Sequence, residues 1–509
     1  MGWFTPSIGQ HFLYRVSPLT SCESNRRRDN TMNKIFSLIL VVAFLLFLPW
    51  SAQAADSSCY YWVAPNGSDA NPGTVSQPWA TLEHASETVP DNFCTVWFEP
   101  GVYYGAHRLN RRFDTPTLFR ARYQYRSILE FSGAVVSISG GKNISLAGFD
   151  IRHSGLGAGA LVVAIDQGKA GWAENITLRN NIIHDSYNND LLKIYSGARF
   201  VTIESNLFYN QGLSEEHIDV NSATDVFIQD NIFFNDYPFS GRQANSASKQ
   251  YIVIKDSNGD EDGLLASRRV RVRRNIFLNW QGNEKETFVQ VGLDGKPYFE
   301  AIDVHIENNL FIGNSQNQAG AVFGVKGAQD IYFVNNTIVG DLPAQSYAMR
   351  VNITEQNPLN EYIYFMNNIW SDPTGTMGAD KYGDENEFSD GDPAETENAF
   401  LDTNLYWNGG AKIPDGDFLS PLSDDLHYLV ANPLLETNHT NLVLPHWSGA
   451  GFVSGSSSIR QEFIRLVRLY GSLPGTSPAI NQANPAYAPP DDILRRPRRG
   501  LPDLGAYER

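Results

Sequence analysis

The sequence predicts an all-β, single-stranded right-handed parallel β-helix, a solenoid of stacked coils, and three observations lead there. A phrase of alternating apolar residues, an asparagine and two more apolar residues recurs seven times, anchored on Asn181, Asn206, Asn231, Asn275, Asn309, Asn336 and Asn368. Successive anchors lie 25, 25, 44, 34, 27 and 32 residues apart, a fixed minimum with variable excess. Each phrase alternates with period two, as in Thr177-Leu178-Arg179-Asn180-Asn181-Ile182-Ile183. The units are therefore strands, and a helical array, which needs a period near 3.6, is excluded. A propeller blade takes about 40 residues or more, longer than the minimum here. One solenoid coil fits that minimum, and the excess residues must leave as loops. Stacked asparagines at a bend can hydrogen-bond along the axis, so these anchors read as a structural ladder rather than as catalytic groups.

Composition agrees with the pattern. The 509 residues exceed one ordinary globular core, and 42 glycines, 12% aromatics and 5 methionines suit a loop-rich β protein. In chain order, Met32-Asn33-Lys34, the apolar run Ile35 to Leu48 and Ala52-Gln53-Ala54 read as a secretory signal over 32–54, cleaved after Ala54. Residues 1–31 then precede the native start, and 55–509 form one β-helix domain. After residue 55 no stretch is long and apolar enough to span a bilayer. Loss of residues 1–54 removes five basic and two acidic residues, moving the formal charge from −17 to −20. Such a field argues against nucleic acid or anionic lipid as the main partner.

Cys59 and Cys94 remain after cleavage and could staple the N-terminal end in an oxidising compartment. Trp79 to Ala85 reads as a short amphipathic helix suited to cap the first coil, Cys94 to Phe98 as the first strand, and Pro100-Gly101 as its turn. Regular coils are expected over about 143–371, followed by an irregular part over 372–509 that opens with an acidic, glycine-rich loop. Phe400 to Trp407 reads as a late, irregular coil.

Two end segments carry a resemblance. Tyr60-Tyr61-Trp62-Val63-Ala64-Pro65-Asn66-Gly67-Ser68-Asp69, followed by Pro78-Trp79-Ala80-Thr81-Leu82, resembles the opening of secreted bacterial right-handed β-helix proteins of the pectate-lyase-like group. Ser477-Pro478-Ala479-Ile480 and Pro502-Asp503-Leu504-Gly505-Ala506-Tyr507-Glu508 are similar to the close of the same group. The resemblance covers residues 60–509 and implies the fold, while the signal segment implies a secreted, periplasmic or cell-surface location. It leaves the activity open among polysaccharide lyases, hydrolases, epimerases and surface proteins. Gly-His-Gly and Arg-Ile-Lys, which a pectin-hydrolase resemblance would demand, are absent.

Strand alternation lets one outward face be read across the coils. It places Lys193, His217, Asp219, Lys255, Gln290, Lys326 and Arg350 in a single outward column. Cations aligned on a strongly acidic protein suit an anionic polysaccharide laid along the solenoid. Asp185, Asn188, Asn189 and Asp190 form a turn beside that column, able to ligate Ca²⁺ or to serve as acid and base. Asp256, Asn258, Asp260 and Asp262, closed by Gly263, resemble a calcium loop without its terminal glutamate. β-Elimination on a uronate polymer is the leading expectation. It takes Lys193 as base, His217 and Asp219 as further catalytic groups, and Lys255, Gln290, Lys326 and Arg350 as substrate binders. Asp185, Asp190 and the 256–262 loop are the expected calcium ligands, and the protein is expected to act as a monomer. Hydrolysis by an Asp190–Asp219 pair, and glycan binding without catalysis, are the alternatives.

Overall fold

Three strands per coil, each paired with its counterpart in the next coil, build three all-parallel sheets in this computed structural model. It describes residues 59–509 apart from 213–214, 244–247, 283–285, 316, 318, 342–348, 379–386 and 417. The expected leader over 32–54 and the extension before it lie outside the described residues. Sheet 1 has twelve strands, from Tyr60–Val63 to Ala399–Asp402, and sheet 2 has twelve, from Gly101–Tyr104 to Leu429–Val430. Sheet 3 has ten, from His107–Arg108 to Ser389–Asp390. One coil runs Arg199–Glu204 in sheet 1, Leu207–Tyr209 in sheet 2 and Ile218–Asn221 in sheet 3, and Thr224–Gln229 then reopens sheet 1. The stack is longer than the repeat suggests, because coils before residue 143 keep the strands without the asparagine phrase, and a further coil after residue 371 carries Asn404.

The interior is filled by stacked columns of identical or similar side chains. Phe208, Phe233, Phe277 and Phe311 follow one another with ring centroids 5.1, 4.9 and 4.8 Å apart, the coil repeat itself. Where sheet 1 turns into sheet 2, a residue with positive φ precedes each anchor asparagine. Asn180, Ser205, Asp230, Arg274, Asn308, Asn335, Asn367 and Thr403 all have φ between 52° and 60°. The left-handed bend is cheapest for Asn, Asp and Ser, whose short side chains tolerate it, and Arg274 and the β-branched Thr403 are the exceptions.

Behind each bend runs the expected ladder. Asn206 Nδ2 donates to Asn231 Oδ1 at 3.1 Å and to Leu178 O at 2.9 Å, while its backbone N–H also meets Asn231 Oδ1 at 2.8 Å. The same bonds repeat through Asn368, and the ladder continues to an eighth rung, Asn404. It ends on Asp425, whose carboxylate accepts from the N–H groups of Thr403 and Asn404, from Asn404 Nδ2 and from Tyr406 Oη.

At the N-terminal end, Cys59 and Cys94 are disulfide-bonded, joining the first two strands of sheet 1 where they pair in register. The helix Leu82–Thr88, whose first turn is closed by the Thr81 side chain, buries Leu82 and Ala85 in the solenoid interior.

Beyond residue 430 the chain folds back over the outer face of sheet 2. That face is apolar, with Leu207, Ile232, Ile276 and Leu310 in one outward column and Phe234, Leu278 and Ile312 in another. The helix Ile459–Leu466 lays Ile459, Phe463 and Leu466 on it, and Leu473 and Leu504 extend the cover. The part beyond residue 371 is thus a final run of coils followed by a covering strap.

Candidate functional site

Sheet 3 keeps an outward face clear of this strap. Leu192, Ile194, Ile218, Val220, Ile252 and Ile254 point into the core, as alternation requires. The outward residues do not form the single column expected. Lys193, Asp219, Gln290 and Arg350 lie on one register line, which continues through Val253 and Gly324. Lys255 pairs with Asn221, two residues along the strand, so it belongs to a second line with Tyr195. Lys326, directly after the Val325 that pairs with Val291, falls on that second line too. The face is therefore two residues wide.

His217 is not on it. It precedes its strand, where the chain is still turning, so the alternation does not apply. The ring is fully buried beside Phe233 and Tyr251, with Nε2 bonded to Asn235 Oδ1 at 2.9 Å. Burial holds its pKa down at about 3, and the residue is a neutral core histidine.

The centre of the face is acidic. Ligand oxygens of Asp190, Glu215 and Glu216 all lie within 4.8 Å of one another. Asp190 ends the turn between sheets 2 and 3 in one coil, and the two glutamates end the same turn in the next. Asp190 Oδ1 accepts the N–H of Glu216 at 3.0 Å, which ties the two coils at this point. Asp219, one strand residue on, pairs with Lys193 Nζ at 2.6 Å. Lys255 Nζ pairs with Asp294 at 3.1 Å, and Asp294 is held in turn by Ser257.

These charges act strongly on one another. Burial, then the charge of Asp219, pushes Asp190 up to about 7. Burial, then Asp190 and Asp219, lifts Glu216 well above the carboxylate range. For Lys193 and Lys255 burial works against the ammonium, yet Asp219 in both cases, with Asp294 and Glu216 beside Lys255, raises their pKa. Carboxylates this close cannot all ionise without added positive charge. Asp190 Oδ2 and Asp219 Oδ1 are buried and meet no hydrogen-bond donor. Orphaned anionic oxygens of this kind fit an oxygen-seeking divalent cation such as Ca²⁺.

The other expected ligands are engaged elsewhere. Asp185 pairs with His184 at 2.8 Å and with Arg242 at 3.2 Å, and does not join Asp190. In the 256–262 loop, Asp256 accepts the N–H groups of Asn258, Gly259 and Ala266. Asp262 accepts from Leu264 N and Asn258 Nδ2, and Asp260 is exposed. The calcium reading of this loop gives way to a loop closed by its own amides. Gln290 is spent on the carbonyls of Val291 and Gly292. Arg350 pairs with Asp390, whereas Lys326, half-buried beside Arg350, has no ion-pair partner among the described residues. Glu215 and Glu216 were missed because they, like His217, precede the strand that alternation reads.

No protein-family model matches the sequence, and no curated protein sequence matches it. Similar solved structures exist. A pectate lyase, Pel9A, aligns at 16% identity with a TM-score of 0.50, covering 88% of this chain and 96% of that one. XylC in complex with xylose aligns at 12% identity and 0.47, covering 88% and 98%. The GH136 lacto-N-biosidase from Eubacterium ramulus aligns at 12% identity and 0.45, covering 73% and 67%. Sheet topology and the first of these likenesses together define the chain as a protein of the pectate-lyase-like right-handed parallel β-helix fold.

Proposed function

We propose that the protein is an exported polysaccharide lyase that cleaves an anionic, uronate-containing chain by β-elimination. The observation that carries this reading is the convergence of Asp190, Glu215 and Glu216 at the turns that lead into sheet 3, beside Asp219 and two lysines of its outward face. β-Elimination needs a base for the proton α to a carboxylate and positive charge to stabilise the enolate-like species that forms. Ca²⁺ held by Asp190, Glu215, Glu216 and Asp219 would supply that positive charge against the substrate carboxylate.

We assign the role of base to Lys255 rather than Lys193, in a site whose bound cation would cancel the charge of Asp219 and Glu216 that otherwise keeps Lys255 an ammonium. Lys193 is bound to Asp219, a member of the site, and holds that carboxylate in place. Lys255 is held from outside the site, by Asp294, and stands on the neighbouring line of the same face. Lys326 and Arg350, further along the stack, meet substrate carboxylates. The likeness of the fold to that of a pectate lyase supports a polyuronate as the substrate class.

A panel of pectate, alginate and glycosaminoglycans, assayed with calcium and with chelator, tests the reading. Unsaturated, ultraviolet-absorbing products are expected with calcium alone, and Lys255→Ala should slow their release by about 10²- to 10⁴-fold. Full activity in that variant would remove Lys255 as the base. Saturated products, indifferent to chelator, would instead mark a hydrolase, the second reading, which the pKa of about 7 at Asp190 favours as a general acid. Retention on a glycan column without any product would make the protein a glycan binder.

A further inference from the structure

We propose that Arg242 is a positioning residue for the carboxylate site, a clamp across the two turns that deliver its acids; the inference rests on the cation reading of Asp190, Glu215 and Glu216. Arg242 follows the short 3₁₀ turn Tyr237–Ser240, in the insertion that makes the Asn231–Asn275 unit 44 residues long. From there its side chain crosses back over two earlier coils. Nη1 donates to Ser186 O at 2.7 Å, and Nη2 donates to Asn210 O at 3.0 Å and to Asp185 Oδ1 at 3.2 Å. Asp185 and Ser186 open the turn that ends in Asp190. Asn210 and Gln211 open the connection that delivers Glu215 and Glu216.

The guanidinium packs on two rings, with its carbon 4.7 Å from the centroid of Tyr187 and 4.8 Å from that of Tyr237. A planar fork held by two rings can reach two turns at once; an ammonium cannot. The clamped turn passes its position on to the ligand. Ser186 Oγ accepts the N–H of Asn189, and Asn189 Oδ1 accepts the N–H of Asp190 at 2.8 Å. Asn189 O also accepts the N–H of Gly212 at 3.1 Å, a second tie between the two connections.

Asparagines tie the coils at this corner as well, Asn210 Nδ2 donating to Asp185 Oδ1 at 3.0 Å and Asn210 N–H to Asn235 Oδ1 at 2.9 Å, and Arg242 adds to these ties at the two turns that carry the acids. Three acids with oxygens within 4.8 Å of one another repel as they ionise, and that repulsion would push apart the turns that carry them. Arg242 opposes the separation while touching none of the three. It acts through backbone carbonyls and Asp185, as outer partners of a metal site do, and losing such a partner typically costs 10- to 100-fold in metal affinity.

Calcium titration of the full chain by calorimetry, with terbium luminescence as a second probe, tests the clamp on wild type, Asp190→Asn, Arg242→Lys and Arg242→Gln. Wild type should bind calcium and Asp190→Asn should not. Both Arg242 variants should bind about 10- to 100-fold more weakly, Arg242→Lys included, because charge without the fork cannot span both turns. A merely structural arginine would lower the melting temperature in chelator and leave the affinity unchanged. Wild-type affinity in folded Arg242→Lys would overturn the clamp alone. Absence of calcium binding by wild type would overturn the clamp together with the cation reading.

Discussion

Single residues show why the corner between sheets 1 and 2 is rigid. Every ladder asparagine faces one way, with Nδ2 donating towards the next coil and Oδ1 accepting from the previous one. The last rung needs only to accept, so a carboxylate, Asp425, can end the ladder where an amide would leave N–H groups unmet. Asn231→Ala strips the partner from two donors of Asn206 and removes a bond to Ile203 O, all of them buried. The expected loss is about 2–4 kcal/mol in a denaturant titration, and a loss under about 1 kcal/mol would mean the coils are held by their strands alone. His184 makes a pH-dependent contribution of a different kind. Its ring lies between Asp150 at 3.0 Å and Asp185 at 2.8 Å. Burial alone would lower its pKa, but the two carboxylates reverse this and raise it to about 9. The folded state therefore favours the charged ring. Its stabilisation is complete below pH 6.5 and is lost as pH rises through about 9. Unfolding free energy should fall by roughly 3 kcal/mol across that window, and His184→Gln should flatten the slope in denaturant melts at stepped pH.

Elements explain what the sequence could and could not reveal. Strand alternation sorts Lys193, Asp219 and Arg350 to the outside correctly, because a pleat leaves no choice. It does not hold in turns, where Glu215, Glu216 and His217 lie, so it put the buried His217 outside and passed over both glutamates of a site built from a turn. It also cannot separate Lys255 from Lys193 as members of different lines, since register depends on loop lengths that only the folded coils reveal. The covering strap left a signal that went unread. In Ile232-Phe233-Phe234 and Ile276-Phe277-Leu278 all three residues are apolar, and such runs mark a strand buried on both faces. Helix Ile459–Leu466 presses Phe463 into that second interior. Phe463→Ala should cost about 3–5 kcal/mol and expose residues beyond 430 to limited proteolysis before the coils are cut. Simultaneous cleavage of strap and coils would show instead that they unfold as one.

At the scale of the whole molecule, the architecture was legible because a solenoid writes the same instruction into every coil, and seven rungs of one ladder suffice to read it. The chemistry occurs once, at one turn of one pair of coils, so repetition gave it no emphasis. The strap also has a consequence for how such a protein can change. Near one end of the stack Trp447 packs on Tyr125, with ring centroids 4.9 Å apart. Towards the other, Gly505 donates its N–H to Asn367 O at 2.8 Å, and between them Arg495 reaches Asp230 and Asn308 reaches Asp491 O. An open solenoid can gain or lose a coil by duplication and still close every hydrogen bond. Here an added coil would shift these moorings by about 4.8 Å against a strap of fixed length. The strap is a ruler: side loops can lengthen freely, as the 44-residue unit shows, but the number of coils, and with it the length of the outward face of sheet 3, is held constant.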